Sequence, residues 1–256
     1  MKALPFICMF TLCLVSCSIK TDRTACPGLV NLTVRGGAED LIRVRASGET
    51  QCYEGQITKS GDFASGSFEM ERGQILLSAI SGLHKCDLDG NLVTIEQGEE
   101  MDEVYSFSDV LLVKDDIIEV NCRLHKQFAQ LYLTIIESEE ASYPFYVKVS
   151  GNVCGMNLEN LSPLEGPFSR WIHPVIGEYH RICLPRQADD SLVLEFYDKD
   201  KTKADQAPID RLALGKHIRA AGYDWTVMDL EDLYVRVDYT DADVRVAITQ
   251  WDKISL

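Results

Sequence analysis

The chain of 256 residues predicts an all-β protein with two β-sandwiches in tandem and one short helix near the C-terminus. Apolar residues alternate with polar ones in many short runs, and glycine-containing turns separate those runs. Successive side chains of a strand point to opposite faces, so this alternation indicates strands with one buried face. Many short strands with turn signals at regular spacing favour sandwiches.

The chain begins with the features of an export signal. Lys2, the apolar run Ala3–Val15 and the small Ser16 are the three parts of a secretory signal peptide. The run is too short to cross a membrane, since a spanning helix needs about 20 apolar residues. Cys17 follows directly, which makes the site a bacterial lipobox. We therefore predict a lipoprotein signal peptide over residues 1–16 and lipidation at Cys17.

Acyl chains on Cys17 would hold the mature protein at a membrane. One chain binds only marginally, whereas two or more bind stably. Residues 17–27 are polar and form the predicted tether, and about ten extended residues reach up to ~35 Å. The alternative is an ordinary cleaved signal, in which Cys8, Cys13 and Cys17 occur by chance.

The net charge bears on the binding partners of the protein, and the cysteine content bears on its disulfides. The formal net charge of −15 repels phosphate backbones, and no basic patch is interleaved with aromatic residues, so we expect no nucleic-acid binding. Six cysteines remain beyond the signal and the lipidation site: Cys26, Cys52, Cys86, Cys122, Cys154 and Cys183. Export permits disulfides, but six cysteines allow 15 pairings, and the sequence does not choose among them.

The first predicted sandwich covers residues 28–116. Its clearest strands are three alternating sets: Val30, Leu32 and Val34; Ile42, Val44 and Ala46; Ile75, Leu77 and Ala79. Asp87–Asn91 has the composition of a turn, and strands are expected at Asn91–Glu96 and Val104–Val113. The short charged stretch Lys114–Asp116 is the predicted boundary between the two domains.

The second predicted sandwich covers residues 117–256. Alternating sets again indicate strands: Ala129, Leu131, Leu133 and Ile135; Phe145, Val147 and Val149; Leu192, Leu194 and Phe196. Ser162–Pro174 contains three prolines and is predicted to be a long loop. Gly215–Ala221 is the predicted helix, with Gly222 as its C-terminal cap. A closing hairpin is expected to pair Leu233–Tyr239 with Val244–Ile248 around a turn at Thr240–Asp243.

No constellation of residues indicates catalysis or a metal. Two acidic groups could in principle hold calcium: Asp87, Asp89 and Asn91; Asp238, Asp241 and Asp243. The bidentate glutamate that ends a calcium loop is missing after Asp87, where Gly98 stands, so both groups are interpreted as turn residues. His173 and His180 lack metal-site spacing and are interpreted as structural. No nucleophile elbow, phosphate loop or zinc-protease motif occurs, and we expect neither an enzyme nor a cofactor.

Three segments together resemble a known family. Cys17 is followed nine residues later by Cys26-Pro27 and then a first strand. The closing segment contains Gly222-Tyr-Asp-Trp225, then Asp229-Leu-Glu-Asp-Leu-Tyr234, Asp238-Tyr239 and a last strand ending at Trp251, while Gly151–Met156 is a glycine-containing turn. On these residues the chain resembles the FimB-type anchor lipoproteins of Bacteroidales fimbriae.

The resemblance implies two transthyretin-like sandwiches on a lipid anchor. It further implies an outer-membrane protein at the cell surface that holds a fimbria at its base, limits its length and contacts the stalk subunits. Because Leu256 comes only five residues after Trp251, we expect no C-terminal strand left to donate, and a monomer when the protein is alone. The alternative is a tethered carbohydrate-binding lipoprotein, whose aromatic platform Trp171, Trp225 and Trp251 would supply.

Overall fold

The computed structural model describes residues 26–136, 145–175, 178–199, 207–238 and 243–249. Cys17, the signal peptide and most of the tether lie outside them. The described residues form a nearly all-β structure with one short helix, as the sequence predicts. None of them forms a helix long and apolar enough to cross a membrane.

Ten strands belong to the first half of the chain. They are β1 Gly28–Arg35, β2 Leu41–Ser47, β3 Cys52–Ser60, β4 Phe63–Met70, β5 Gly73–Ser81, β6 Asp87–Asp89, β7 Leu92–Thr94, β8 Tyr105–Val113, β9 Ile117–Arg123 and β10 His125–Lys126. Eight of them form one sheet in the order β10-β8-β5-β2-β3-β4-β1-β9. Only Leu124 separates the two outermost strands in the chain, so the sheet curls back on itself into a near-barrel.

The apolar residues that alternate with polar ones in the sequence lie in the interior of this first sheet. The predicted inward residues are all buried: Val30, Leu32, Val34, Ile42, Val44, Ala46, Ile75, Leu77 and Ala79. These three strand predictions are therefore confirmed. β3 was not predicted, because none of its residues is buried and its sequence lacks apolar alternation.

Strand pairing does not follow the predicted division between residues 116 and 117. β9 lies after that point, yet it pairs in parallel with β1, from Leu29 opposite Ile117 to Arg35 opposite Arg123. β10 likewise pairs with the start of β8. The first sheet thus continues to Lys126. The division of the chain into two domains after residue 116 stays a prediction.

Eight further strands and the helix belong to the second half. They are β11 Phe128–Ile136, β12 Phe145–Asn157, β13 Ser162–Ile172, β14 Tyr179–Pro185, β15 Val193–Asp198, β16 Asp210–Leu212, α1 Leu214–Ala220, β17 Asp232–Asp238 and β18 Asp243–Thr249. One sheet has the order β14-β11-β17-β18, and the other has the order β16-β15-β12-β7-β6, with β13 also paired to β12.

A hairpin from the first half completes the second of these sheets. Residues 82–104 connect β5 to β8, and within this connection β7 pairs with the end of β12. The backbones of β7 and β12 lie close together at this point, because a Cβ on Gly155 would lie 2.0 Å from the carbonyl oxygen of Val93. Glycine is therefore needed at position 155. The two halves consequently share a sheet.

The prediction of a loop over Ser162–Pro174 is wrong. β13 occupies most of this range and pairs with β12, with register shifts on either side of Val153. Pro167 falls between the paired residues Glu165 and Phe168, where the register is irregular and no ladder hydrogen bond is lost. Proline is tolerated at bulges and in edge strands for this reason.

The C-terminal elements agree with the sequence. α1 begins one residue before the predicted start, and Gly222 follows it with φ of 83° and donates its N–H to the carbonyl of Arg219. β17 and β18 pair antiparallel, from Asp232 opposite Thr249 to Asp238 opposite Asp243. The predicted helix cap and hairpin strands are confirmed. The hairpin turn and Trp251 lie outside the described residues.

Candidate interaction surfaces

The tether enters the body at a well-anchored point. Three groups near this point contact the guanidinium of Arg72: the carbonyls of Cys26 and Lys114 and the carboxylate of Asp116. β1 follows at once and pairs along its length with β4 on one side and with β9 on the other. A pull on the tether would therefore be transmitted to a strand that is hydrogen-bonded on both edges. Cys17 itself lies outside the described residues, and its lipidation stays a prediction.

A buried ion pair joins the two halves of the chain. The ammonium of Lys126 contacts the carboxylate of Asp232, and both residues are at most 2% exposed. The same carboxylate accepts the backbone N–H of Gln130 at 3.0 Å, and the ammonium lies 4.8 Å from the ring centroid of Phe128. Buried charges are retained only when they are paired and hydrogen-bonded in this way.

A second buried carboxylate organises the connection that carries β6 and β7. Asp102 accepts the backbone N–H groups of His84, Lys85 and Cys86, each at 2.8 Å. Burial by itself would raise the pKa of Asp102, but these N–H donors outweigh it and lower the pKa. Asp102 therefore fixes the start of the segment that crosses into the second half.

The six described cysteines are free thiols. Burial raises the pKa of Cys86, Cys122 and Cys183 to about 12, so these thiols stay protonated and unreactive at neutral pH. Cys26 and Cys52 are exposed. The structure therefore contains none of the disulfides that export would permit among these six cysteines.

Those acidic and histidine groups of the sequence analysis that the structure describes do not assemble into a metal centre. Among the described residues, no three His, Cys, Asp or Glu side chains lie close enough together to hold a metal ion. Asp87 and Asp89 lie on β6, beside the hairpin turn at Gly90 and Asn91. His180 accepts the backbone N–H of Val175 at 3.1 Å. The side chains of Asp238, Asp241 and Asp243 lie outside the described part.

Two of the tryptophans predicted for an aromatic platform have separate partners. The ring of Trp171 packs 4.8 Å from Tyr197, and the ammonium of Lys148 lies 5.8 Å from its centroid. Trp225 packs 4.5 Å from Tyr223 and against the core. Their partners therefore differ, and Trp251 lies outside the described residues.

An exposed tyrosine cluster, which the sequence analysis missed, lies on the other sheet of the second half. Tyr132, Tyr179 and Tyr234 belong to the adjacent strands β11, β14 and β17. The ring of Tyr132 stacks on Tyr234 at 4.6 Å and meets Tyr179 edge-on at 5.5 Å. Tyr179 is 65% exposed and Tyr234 is 37% exposed. No local sequence signal brings these three positions together, because long-range pairing aligns them.

Comparison with known proteins gives a fold but no family. No protein-family model matches the chain, and no curated protein matches its sequence. Solved structures do match over most of their length. A proposed polysaccharide-binding protein of Bacteroides thetaiotaomicron is 11% identical with a TM-score of 0.61, and 88% of this chain covers 96% of that one.

Two further solved structures have a similar fold. A proposed adhesin of Bacteroides thetaiotaomicron is 12% identical with a TM-score of 0.58, and 89% of this chain covers 97% of it. The fimbrial anchor protein Mfa2 of Porphyromonas gingivalis is 12% identical with a TM-score of 0.54, and 88% of this chain covers 98% of it. At this identity the likeness shows a common fold. None of the three is described as an enzyme.

Proposed function

We propose that this chain is a lipid-anchored, non-enzymatic subunit that holds a fimbria to the outer membrane at the cell surface and limits its length. The proposal includes acylation of Cys17, a tether over residues 17–27, and two transthyretin-like sandwiches over residues 28–116 and 117–256. Its partners are the membrane, through the acyl chains, and the fimbrial stalk subunits. The fold shared with a fimbrial anchor protein and with a proposed adhesin supports it.

The connection between tether and body is the observation that carries the proposal. Only eight residues separate Cys17 from Cys26, whose carbonyl accepts a hydrogen bond from Arg72. β1 begins two residues later with partners on both edges. Load passed from a membrane anchor into such a strand is shared by two ladders of backbone hydrogen bonds. A protein that keeps a filament at the cell needs this kind of attachment.

The closing hairpin supports the role of a terminal subunit. Filament subunits that join by strand addition need a segment to donate to a neighbour. Residues Asp243–Thr249 already pair with β17 in their own sheet. This segment is therefore occupied, and we expect the subunit to end a filament by docking against its neighbour.

Replacing Cys17 by alanine tests the anchor. The Cys17→Ala protein should fold, because the core begins beyond the tether, and it should leave the membrane fraction together with its fimbriae. Cys26→Ala is the matched control, since Cys26 is exposed and nine residues further on, and it should stay in the membrane. Retention of Cys17→Ala in washed membranes would contradict the proposal.

Deleting the protein tests the terminal role. Fimbriae should become longer and be shed easily, while stalk subunits still polymerise. The purified mature chain with Cys17→Ala should remain a monomer at high concentration. Self-assembly of that chain into filaments would argue against a terminal subunit, as would deletion cells with firmly attached fimbriae of normal length.

The tyrosine cluster favours carbohydrate binding as a second candidate function. Exposed aromatic rings bind the apolar faces of sugars, and one of the solved structures with this fold is a proposed polysaccharide-binding protein. In this case Tyr179→Ala and Tyr234→Ala should each abolish retention on a glycan array. Tyr53→Ala is the control, because Tyr53 stacks on Phe68 in the first sheet. Unchanged glycan binding by both cluster variants would exclude the cluster as the binding site.

A further inference from the structure

A cavity of about 510 Å³ lies on the outer face of the first sheet, and two arginines of β2 line it. We call it the arginine cavity. Val44 points into the core, so its neighbours Arg43 and Arg45 both point outward from the sheet. Strand register places Gln56 of β3 opposite Arg43 and Glu54 opposite Arg45. These four polar side chains therefore form the floor of the cavity.

The β6–β7 turn and the end of β12 cover this floor. Gly90 and Asn91 of the turn line the cavity, as does Leu158 after β12. Gly90 lies close to the guanidinium of Arg45, since a Cβ at position 90 would be 2.9 Å from its Nη1. Leu158 is 2% exposed and donates its backbone N–H to the carbonyl of Asn91 at 2.8 Å. No residue of β3 is buried, so the cavity opens to solvent on the β3 side.

The lining has one more positive charge than negative charges. Arg45 faces Glu54, but its Nε lies 3.6 Å from the carboxylate oxygen and has no hydrogen-bond partner. Arg43 faces the neutral Gln56, and its side chain forms no ion pair or hydrogen bond within the described part of the chain. Glu54 is the only acid among the described residues that line the cavity. A ligand with a single negative charge would balance the two guanidinium groups and the one carboxylate.

The rest of the lining offers amides and aliphatic surface. Within the described residues, the side chains of Gln56 and Asn91 form no hydrogen bond, so each amide has a donor and an acceptor available. Groups of this kind suit hydroxyls, which also donate and accept. Ile80 and Leu88 add aliphatic wall. A cavity of this size and mixed lining suits a small ligand held by a few directed polar contacts.

We propose that the arginine cavity binds one hexuronic acid residue of an acidic glycan. The carboxylate of the sugar pairs with the two arginines, its hydroxyls hydrogen-bond to the two amides, and the C–H groups of its ring pack on the aliphatic wall. A dianion such as a phosphate monoester would leave the site with an excess negative charge. The acidic net charge of the whole chain does not prevent binding, because salt screens charges more than about 8 Å away at physiological ionic strength.

This inference does not rest on the proposed function, and its site is separate from the tyrosine cluster, which lies on the sheet β14-β11-β17-β18. The binding test uses the purified mature chain with Cys17→Ala at about 0.15 M salt. The probes are methyl galacturonide and methyl glucuronide, and the uncharged counterparts are methyl galactoside and methyl glucoside. NMR titration measures affinity, and the ¹⁵N–H signals of the arginine side chains report the place of binding.

At least one uronide should bind about tenfold more tightly than its uncharged counterpart, as expected for a charge-assisted hydrogen bond. Arg43→Gln should remove this preference while the protein stays folded, because Arg43 is exposed. Arg211→Gln is the control, since Arg211 is an exposed arginine on β16, and it should keep the preference. Glu54→Gln should tighten uronide binding, because it removes the one negative charge of the lining. A damaged fold would not have that effect.

Equal affinity for the uronides and the uncharged sugars would overturn the proposal. A preference that survives Arg43→Gln would do the same, as would weaker uronide binding by Glu54→Gln. We expect a dissociation constant of about 1 mM for a single residue, so no binding at about 20 mM would also overturn the proposal. Tighter binding of N-acetylglutamate N-methylamide at the same arginines would assign the cavity to an acidic protein side chain instead.

The outcome is distinguishable from those of the two candidate functions. Binding at about 1 mM is too weak for retention on a washed glycan array. Tyr179→Ala and Tyr234→Ala should leave the uronide affinity unchanged, because the cluster lies on another sheet. If the uronides fail to bind while deletion still sheds fimbriae, only this inference is wrong. If they bind while deletion leaves fimbriae attached, only the proposed anchoring function is wrong.

Discussion

The interior of the first sheet and the interior of the second half contain different side chains. In the first sheet up to β8, the buried polar residues are three serines: Ser78, Ser81 and Ser106. From β10 onward, seven larger polar or charged residues are buried: Lys126, Gln127, Gln130, Arg186, Gln187, Glu195 and Asp232. The interior of the first sheet up to β8 is therefore almost entirely apolar, whereas the chain from β10 onward also contains large buried polar groups.

The buried arginine of the second half shows how such a polar group is held. The guanidinium of Arg186 donates to the carbonyls of Trp225 and Val227 and to the side chain of Gln127. Burial lowers the pKa of Arg186, so these acceptors must offset the loss of hydration. Such contacts fix the long loop between α1 and β17, which has no strand pairing of its own.

The largest effect is expected from removing one member of the buried ion pair. Lys126→Met should lower the free energy of unfolding by about 3–5 kcal/mol, because it leaves the carboxylate of Asp232 buried without its cation. Adding Asp232→Leu should recover most of that loss. Urea denaturation of the two single variants and the double variant measures both effects.

Lys85→Met is the matched control for the Lys126→Met variant. Lys85 is about half exposed, and its ammonium lies 3.9 Å from Glu100 and 4.0 Å from Glu99. An exposed pair contributes at most about 1 kcal/mol, so this variant should be nearly neutral. A Lys126→Met variant no less stable than Lys85→Met would remove the distinction between the two halves.

A smaller loss of stability is expected from replacing Asp102, whose carboxylate holds the connection between β5 and β8. Asp102→Asn should cost about 2 kcal/mol, because the three N–H groups of residues 84–86 lose their charged acceptor. Asp62→Asn in the exposed turn after β3 should change stability by less than about 0.5 kcal/mol. Thermal unfolding at neutral pH compares the two variants.

The pH dependence of the Asp102 effect has a defined sign. The pKa of Asp102 is lower in the folded protein than its ordinary value of about 3.9 in the unfolded chain. Its contribution is therefore present above that value and is lost as the pH falls through the folded pKa. The stability difference between wild type and Asp102→Asn should shrink in acid, and a difference that grows there would contradict this assignment.

The smallest effect concerns reactivity and leaves stability unchanged. With Cys17→Ala, a thiol reagent should label the exposed Cys26 and Cys52 in the native protein at neutral pH. Cys86, Cys122 and Cys183 should react only after denaturation, because burial suppresses their thiolates. Six thiols should be counted in the unreduced, denatured mature chain (residues 17–256 with Cys17→Ala), and a count of zero would mean that disulfides had formed.

The local sequence pattern was sufficient to predict the buried residues wherever buried and exposed residues alternate along a strand. The alternating residues of β1, β2 and β5 all enter the core, because a strand with one buried face records that face in every second residue. Gly222 ends the helix as predicted, since a left-handed residue at that position favours glycine. The lipobox at Cys17 is likewise a local pattern, and it stays a prediction.

Tertiary structure decided which strands pair and what surfaces result. β3 has no buried residue and Pro167 of β13 falls at an irregular register, so neither strand has the apolar alternation of a buried strand. The parallel pairing of β9 with β1, the transfer of β7 to β12 and the alignment of the three tyrosines depend on backbone hydrogen bonds between distant segments. Any strand can form such bonds, so no residue type identifies the partner. Burial is thus readable from the sequence, whereas strand partners and the surfaces they create were decided only by the folded chain.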